Sequence, residues 1–253
     1  MRKEVLRVED LDKSFFSSEK GETVHAVDHV SFSLHEGEFL GLVGESGCGK
    51  STIAKLVMGM LPPDEGSVAI CGSPMEYPYP REVYKSIQMI FQMPKESFNP
   101  RWTMGRNLIQ TQKNFGVEKA QAEKVAYRFL ELVGLESEFF HKYPRQMSGG
   151  ECQRAAIARA LCASPTVLIC DEITSSLDVS VQAQIIELLI SIRKEMNLSV
   201  LFISHDLALV SGLCDNVLVM NHGKLVESGS IRDVLQNPRE AYTKHLMGSI
   251  LEI

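Results

Sequence analysis

The sequence predicts an α/β protein with a mostly parallel central sheet, and three observations carry that expectation. Short β-rich runs that are apolar throughout alternate with helical patterns, as strands covered on both faces do. One of these strands runs into a glycine-rich loop that leads straight into a helix, the connection of a parallel sheet. Between Pro100 and Pro144 the strand signal stops and helical spacing takes over, which marks an inserted helical segment.

In chain order, Val30–Leu34 and Phe39–Val43 are the first expected strands, and Lys50–Met60 is the first helical pattern. Ile87–Phe91 is the next strand. Met104–Asn114 and Glu118–Val133 carry helical spacing, with Gly116 and Gly134 as breakers. A further helix runs through Ala155–Leu161 and leads to the strand Val167–Cys170. The helix Val181–Met196 and the strands Ser199–Ser204 and Val217–Met220 follow. Asn221-His222-Gly223 then turns the chain into Lys224–Val226 as a hairpin, and the segment from Ile231 is helical up to Pro238. No internal repeat interrupts this order.

The 253 residues suit one large domain or a domain with a subdomain. Hydrophobic residues at 44% and charged residues at 23% exclude disordered and collagenous classes. The formal charge of -6 argues against a dedicated nucleic-acid or anionic-lipid binder, so any anion must be caught locally. No run approaches the roughly 18 apolar residues of a membrane span. The start, Met1–Arg7, has charges and no apolar core, so no secretory signal is expected. The six cysteines are scattered, with no C-x-x-C pair, and reduced thiols are expected.

The local anion trap is Gly44-Glu45-Ser46-Gly47-Cys48-Gly49-Lys50-Ser51, between the strand Phe39–Val43 and the helix from Thr52. Its glycines let backbone N–H groups cradle phosphate oxygens, and the helix N-terminus adds positive potential. Lys50 would reach the β- and γ-phosphates, and Ser51 would ligate Mg²⁺. This pattern identifies a P-loop NTPase core. Cys48 serves as a small residue in a tight turn, and a bulky maleimide on it is expected to block ATP.

Asp171-Glu172 follows the strand Val167–Cys170, at the end of a parallel strand where ligands bind, and neither carboxylate is expected in the core. Asp171 is placed to hold the Mg²⁺ shell and Glu172 to polarise an attacking water. Ser204-His205-Asp206 occupies the same position after another apolar strand, which puts His205 near the expected γ-phosphate. Met147-Ser148-Gly149-Gly150-Glu151-Cys152-Gln153-Arg154 opens a helix with Ser148 as N-cap and makes a second anion-binding helix terminus.

With that last motif the chain resembles the ATP-binding subunits of ATP-binding-cassette transporters, whose signature Ser148-Gly149-Gly150-Glu151-Cys152-Gln153 matches over a chain that corresponds along nearly its whole length. The resemblance implies an N-terminal antiparallel β subdomain and an inserted helical subdomain on the P-loop core. The expected division of the single domain 1-253 is 1-99 and 145-253 for the RecA-like core and 100-144 for the helical part. It implies that Gly44 through Thr52, with Ser148, Gly149, Gly150 and Asp178, bind ATP in a head-to-tail dimer. The signature of one subunit would close over the γ-phosphate held by the other. Gln92 corresponds to the glutamine that senses Mg²⁺ and γ-phosphate, Ser176-Leu177-Asp178 to the loop crossing the dimer interface, and His205 to the switch histidine. Phe15 stands where an aromatic stacks on adenine, with Phe16 competing for the role. Glu172, His205, Gln92 and Lys50 are the implied catalytic set, and Ser51, Gln92 and Asp171 the Mg²⁺ set. Ile173 replaces the usual Pro and Ser176 the commoner Ala; neither removes a catalytic group, so tuned activity is expected.

Ser97-Phe98-Asn99-Pro100-Arg101 after Phe91-Gln92, and Asn237-Pro238-Arg239 before Tyr242-Thr243, resemble the oligopeptide/dipeptide/nickel importer branch. Glu240-Ala241 replaces the usual His-Pro, and the sequence given stops at Ile253. No cysteine follows Cys214, so no iron–sulfur cluster is expected. The runs Ser97-Phe98-Asn99-Pro100 with Trp102-Thr103, and Cys170–Thr174, lean toward nickel or metal-chelate importers. The branch implies a second, homologous ATPase subunit, two membrane permeases, an extracytoplasmic binding protein acting indirectly, no nucleic acid, and a place on the cytoplasmic face of a prokaryotic membrane. A cassette ATPase acting on DNA or ribosomes is the alternative; such chains carry a long coiled-coil insertion or two cassettes, and neither is present. A P-loop kinase is disfavoured by the signature.

Overall fold

A computed structural model describes residues 2–17 and 21–251. Its elements in chain order are β1 (Glu4–Ser17), β2 (Glu22–His35), β3 (Phe39–Val43), α1 (Lys50–Val57), β4 (Glu65–Ile70), β5 (Ser73–Pro74) and β6 (Ile87–Ile90). Then come α2 (Met104–Asn114), α3 (Lys119–Leu132), α4 (Gly149–Leu161), β7 (Val167–Asp171), α5 (Val179–Met196), β8 (Ser199–Ser204) and α6 (Leu207–Leu213). β9 (Asn216–Asn221), β10 (Lys224–Ser230), α7 (Ile231–Gln236) and α8 (Ala241–Leu251) complete the chain. The chain forms two compact units, one of Met1–Tyr79 with Asn197–Ile253 and one of Pro80–Met196.

In the first unit β2, β1, β4 and β5 form an antiparallel sheet in that order. The same unit holds a parallel set in which β3 lies between β8 and β9, with Phe39 opposite Val200 and Leu40 opposite Asn216. β10 adds antiparallel to β9 through the expected hairpin. Every residue of β3 and β8 is buried, which accounts for their uninterrupted apolar runs. The α/β class, the parallel strands and the antiparallel N-terminal sheet agree with the expectation.

The second unit pairs β6 and β7 in parallel, Ile87 opposite Val167 through Ile90 opposite Cys170. Its helices start where the sequence supplies caps. Thr103 Oγ1 accepts from the Arg106 N–H at 3.3 Å to open α2, and a reciprocal Ser148–Glu151 box opens α4. On α3 the face of Ala122, Ala126 and Leu130 is buried, and on α4 that of Cys152, Ala156 and Ala160. Small residues on these faces let helices approach closely. Tyr127 stacks on Phe140 with centroids 4.1 Å apart.

Three strands escape the sequence reading: β1, β4 and β5, while β2 extends eight residues earlier than expected, from Val30 back to Glu22. In β1 the apolar alternation breaks because its pairing with β2 shifts register between Val8 and Leu11 and again before Lys13, with Asp10 at a φ of 50°. β4 starts on three exposed residues and β5 is two residues long. Among the described residues no disulfide forms and no helix is long and apolar enough to cross a membrane. Met1 and the terminal Ile253 lie outside the described residues.

Candidate functional site

The glycine-rich loop leaves β3 at Val43 and enters α1 at Lys50, as its sequence flanks require. Gly44, Gly47 and Gly49 all have positive φ, 156°, 82° and 113°. A Cβ on Gly44 would overlap the Met220 carbonyl oxygen, and one on Gly49 would overlap the Ala26 carbonyl oxygen. These two glycines are therefore required by both conformation and space. Gly49 caps α1 without any side-chain hydrogen bond, so the helix N-terminus is served by backbone alone. Ser51 and Thr52 sit half-buried in its first turn.

Lys50 is 3% exposed. Its ammonium donates to the Gly44 carbonyl at 2.7 Å and the Glu45 carbonyl at 2.8 Å, with Cys48 Sγ at 3.8 Å. Cys48 is buried, and burial pushes its thiol pKa up against the opposing influence of Lys50. The loop is fixed from outside as well. Gly223 in the β9–β10 turn donates its N–H to the Cys48 carbonyl at 2.9 Å, and the Glu45 N–H donates to the Tyr242 hydroxyl at 2.9 Å. Neither contact follows from the motif, because Tyr242 lies on α8, almost 200 positions later; the only signal in the sequence is the tail motif that contains it.

His205 follows β8 directly, and in the β3–β8 register Val43 stands opposite Ser204. The loop and His205 thus leave adjacent strand ends on the same side. His205 is exposed. Its neighbour Asp206 caps α6, accepting from the Ala208 and Leu209 N–H groups at 2.8 and 3.3 Å. Phe15 sits on β1 opposite Val24, 41% exposed, with the Lys13 ammonium 5.8 Å from its ring centroid. Phe16 is 70% exposed.

In the second unit, Gln92 beyond β6 and Glu172 beyond β7 meet. Gln92 Nε2 donates to Glu172 Oε2 at 3.2 Å and to Ser175 Oγ at 3.3 Å, and Ser175 Oγ donates to the Glu172 carbonyl at 2.9 Å. Glu172 has a φ of 48°, the left-handed region that non-glycine residues avoid, and such strain concentrates at functional positions. Ser175 is a member of this cluster that the sequence reading did not single out. The expectation that both acids lie outside the core is corrected: Asp171 is the last residue of β7 and only 6% exposed, because that strand is buried to its end. Ile173, 1% exposed, is a core residue of the same loop.

Ser148 lies at the start of α4, where its Oγ accepts from the Glu151 N–H while Glu151 Oε2 accepts from the Ser148 N–H at 2.7 Å. That backbone donor holds the Glu151 carboxyl below the usual range. Gly149 has Leu177 across from its Cβ position, and Gly150 has Val181. The signature turn therefore lies against the segment carrying Asp178. Asp178 Oδ1 accepts from Ser180 Oγ at 2.6 Å and the Val181 N–H at 3.0 Å, bonds that lower its carboxyl pKa and start α5. Gln182 Nε2 pins the same loop through the Thr174 and Leu177 carbonyls.

The protein-family model described as ABC transporter matches residues 27–175. The "Oligopeptide transport ATP-binding protein OppF" of Haemophilus influenzae is 45% identical over 245 residues, 94% of this chain and 73% of that protein. The cbiO1 protein of Clostridium perfringens, described as part of the ABC transporter complex cbiONQ, superposes with a TM-score of 0.81 at 27% identity over 99% of this chain and 100% of its own. A dimeric post-hydrolysis state of the ATP-binding cassette MJ0796, bound to ADP and Pi, superposes with a TM-score of 0.79 at 26% identity over 90% of this chain and 99% of its own.

Proposed function

The chain belongs to the ABC transporter family, and from that premise we propose that it is the ATP-hydrolysing subunit of a peptide importer, binding ATP through Gly44–Thr52. The loop carries this reading: Gly44 and Gly49 have no room for a side chain, and the loop presents a buried lysine and an uncapped helix start, the chemistry of a polyphosphate cradle. Lys50 is the phosphate ligand, and Phe15 is the surface on which adenine stacks. A carboxylate ending a buried strand fits a hard cation by its oxygen chemistry, and Asp171, Ser51 and Gln92 are the residues that would hold Mg²⁺. The ion, when bound, supplies positive charge against the phosphate oxygens.

Glu172 accepts a proton from the attacking water, and Gln92 orients its carboxylate through the 3.2 Å bond. His205 stabilises charge on the γ-phosphate. Ser148, Gly149, Gly150 and Asp178 serve the nucleotide of a second subunit in a head-to-tail dimer, as the dimeric cassette and the shared family support. That second subunit is a non-identical homologue. Two permeases receive the stroke through the helical stretch 100–144 with the Gln92 loop, and an extracytoplasmic binding protein delivers the substrate. The assembly sits on the cytoplasmic face of a prokaryotic membrane. Peptides are the substrate class named by the relatives, ahead of the nickel or metal chelates of the neighbouring branch.

The test is reconstitution of the chain with its permeases and homologous ATPase in vesicles, with labelled oligopeptide and labelled nickel chelate supplied in parallel. ATP-dependent uptake of peptide is expected. ATP hydrolysis with neither substrate moved would overturn the importer reading, and uptake of the chelate alone would move the chain to the metal branch.

A further inference from the structure

We propose that Tyr242 is a positioning residue for ATP binding, which acts by fixing the first peptide of the phosphate loop. The inference rests on the reading of that loop as the ATP site. The peptide between Gly44 and Glu45 is where the chain leaves β3, and both of its polar atoms are occupied. Its carbonyl accepts from Lys50 Nζ at 2.7 Å, and its N–H donates to the Tyr242 hydroxyl at 2.9 Å. A peptide is planar, so pinning the N–H also sets the direction of the carbonyl. That carbonyl is one of the two that hold the Lys50 ammonium. Tyr242 therefore acts on the lysine through one rigid plane.

Tyr242 is itself held by a supported helix. The Glu227 carboxylate accepts from the Arg239 N–H at 2.9 Å through one oxygen and from the Glu240 N–H at 3.2 Å through the other. This fixes the turn that starts α8. One residue beyond Tyr242, Thr243 is fully buried, and Leu246 is 8% exposed, so the first turns of α8 are anchored on the body of the unit. Burial raises the Tyr242 phenol pKa, which keeps it a neutral hydroxyl able to accept the amide hydrogen. The tail motif Tyr242-Thr243 thereby acquires two jobs on adjacent residues, one buried for anchorage and one aimed at the loop.

Tyr242→Phe keeps the ring and removes only the acceptor oxygen. In the full chain assembled with its partner subunits, ATP affinity is expected to fall and KM to rise about 3- to 10-fold, the scale of one neutral hydrogen bond. kcat should stay within about 2-fold, since the bond is made alike in ground and transition states. The melting temperature should fall by no more than about 4 °C, the scale of one such bond in a chain of this size. Hydrogen exchange at the Glu45 amide should speed up in the variant. Affinity unchanged in Tyr242→Phe, while Lys50→Ala weakens binding, overturns this inference alone. Affinity unchanged in Lys50→Ala overturns the ATP reading beneath it. Should Tyr242→Phe lose its folding transition, exchange in the unaltered chain decides: a protected Glu45 amide supports the bond, and exchange at the rate of an open loop amide overturns it.

Discussion

Gly44–Ser51 is held through its own main-chain atoms and by steric necessity, whereas Gln92, Glu172 and Ser175 are joined mainly through their side chains. The phosphate loop is pinned through the Gly44, Glu45 and Cys48 carbonyls and the Glu45 amide, at 2.7–2.9 Å, and two of its glycines have no room for a Cβ. The Gln92 cluster is exposed, its Nε2 contacts are 3.2 and 3.3 Å long, and it includes a strained φ at Glu172. The short bond from Lys50 to the Gly44 carbonyl is buried and costly to break; the long, exposed bonds of Gln92 exchange readily with water. The binding loop is thus preorganised, and the residues assigned to chemistry can change partners. Such a division suits a protein that must bind a ligand before it commits to cleaving it.

The strongest way to break this contrast is at Glu172. Glu172→Gln keeps the shape and the bond from Gln92 but removes the base, so turnover should fall by at least about 100-fold while ATP binding persists. Phosphate release and nucleotide titration check both halves, and a closed dimer should accumulate on size-exclusion chromatography. Near-normal hydrolysis would mean the base lies elsewhere. Lys50→Ala attacks the binding side and should lower ATP affinity by at least about 10-fold, the worth of a charge-assisted bond. Wild-type affinity in that variant would contradict the role given to the loop.

The smallest effect sharpens the picture of the loop itself. Because Cys48 is 7% exposed and its pKa is raised by burial, its thiolate fraction at neutral pH is lower than that of an ordinary thiol. Alkylation by iodoacetamide, followed by mass spectrometry, should be slower at Cys48 than at the more exposed Cys71, and its rate should still climb as pH passes 9. A plateau at or below pH 8 would refute the raised pKa. Once alkylated, the chain should no longer bind ATP.

The parts of this molecule legible in sequence are those whose physics is local. The phosphate loop needs its glycines and its flanks, Ser148 and Glu151 cap one turn, and Met104–Asn114 ends where its helical spacing ends. β1 was hidden because its bulges destroy the alternation by which a half-buried strand is recognised, and β4 because it opens on exposed residues. Asp171 was expected outside the core because a carboxylate is expensive to bury, a local rule that the depth of β7 overrides. Ser175 and Tyr242 escaped for a different reason. Each is defined by a bond to a residue that only the fold brings near.

The turn at Asn221–Lys224 bears on how this chain can be engineered. A hairpin tip is ordinarily the first place to splice a tag or a reporter. Here Gly223 donates to the Cys48 carbonyl and accepts from the Asp28 amide, and a Cβ on it would crowd the His25 carbonyl. Lengthening this turn would remove a strut from the phosphate loop, so a fusion placed there would silence the motor that it was meant to report on.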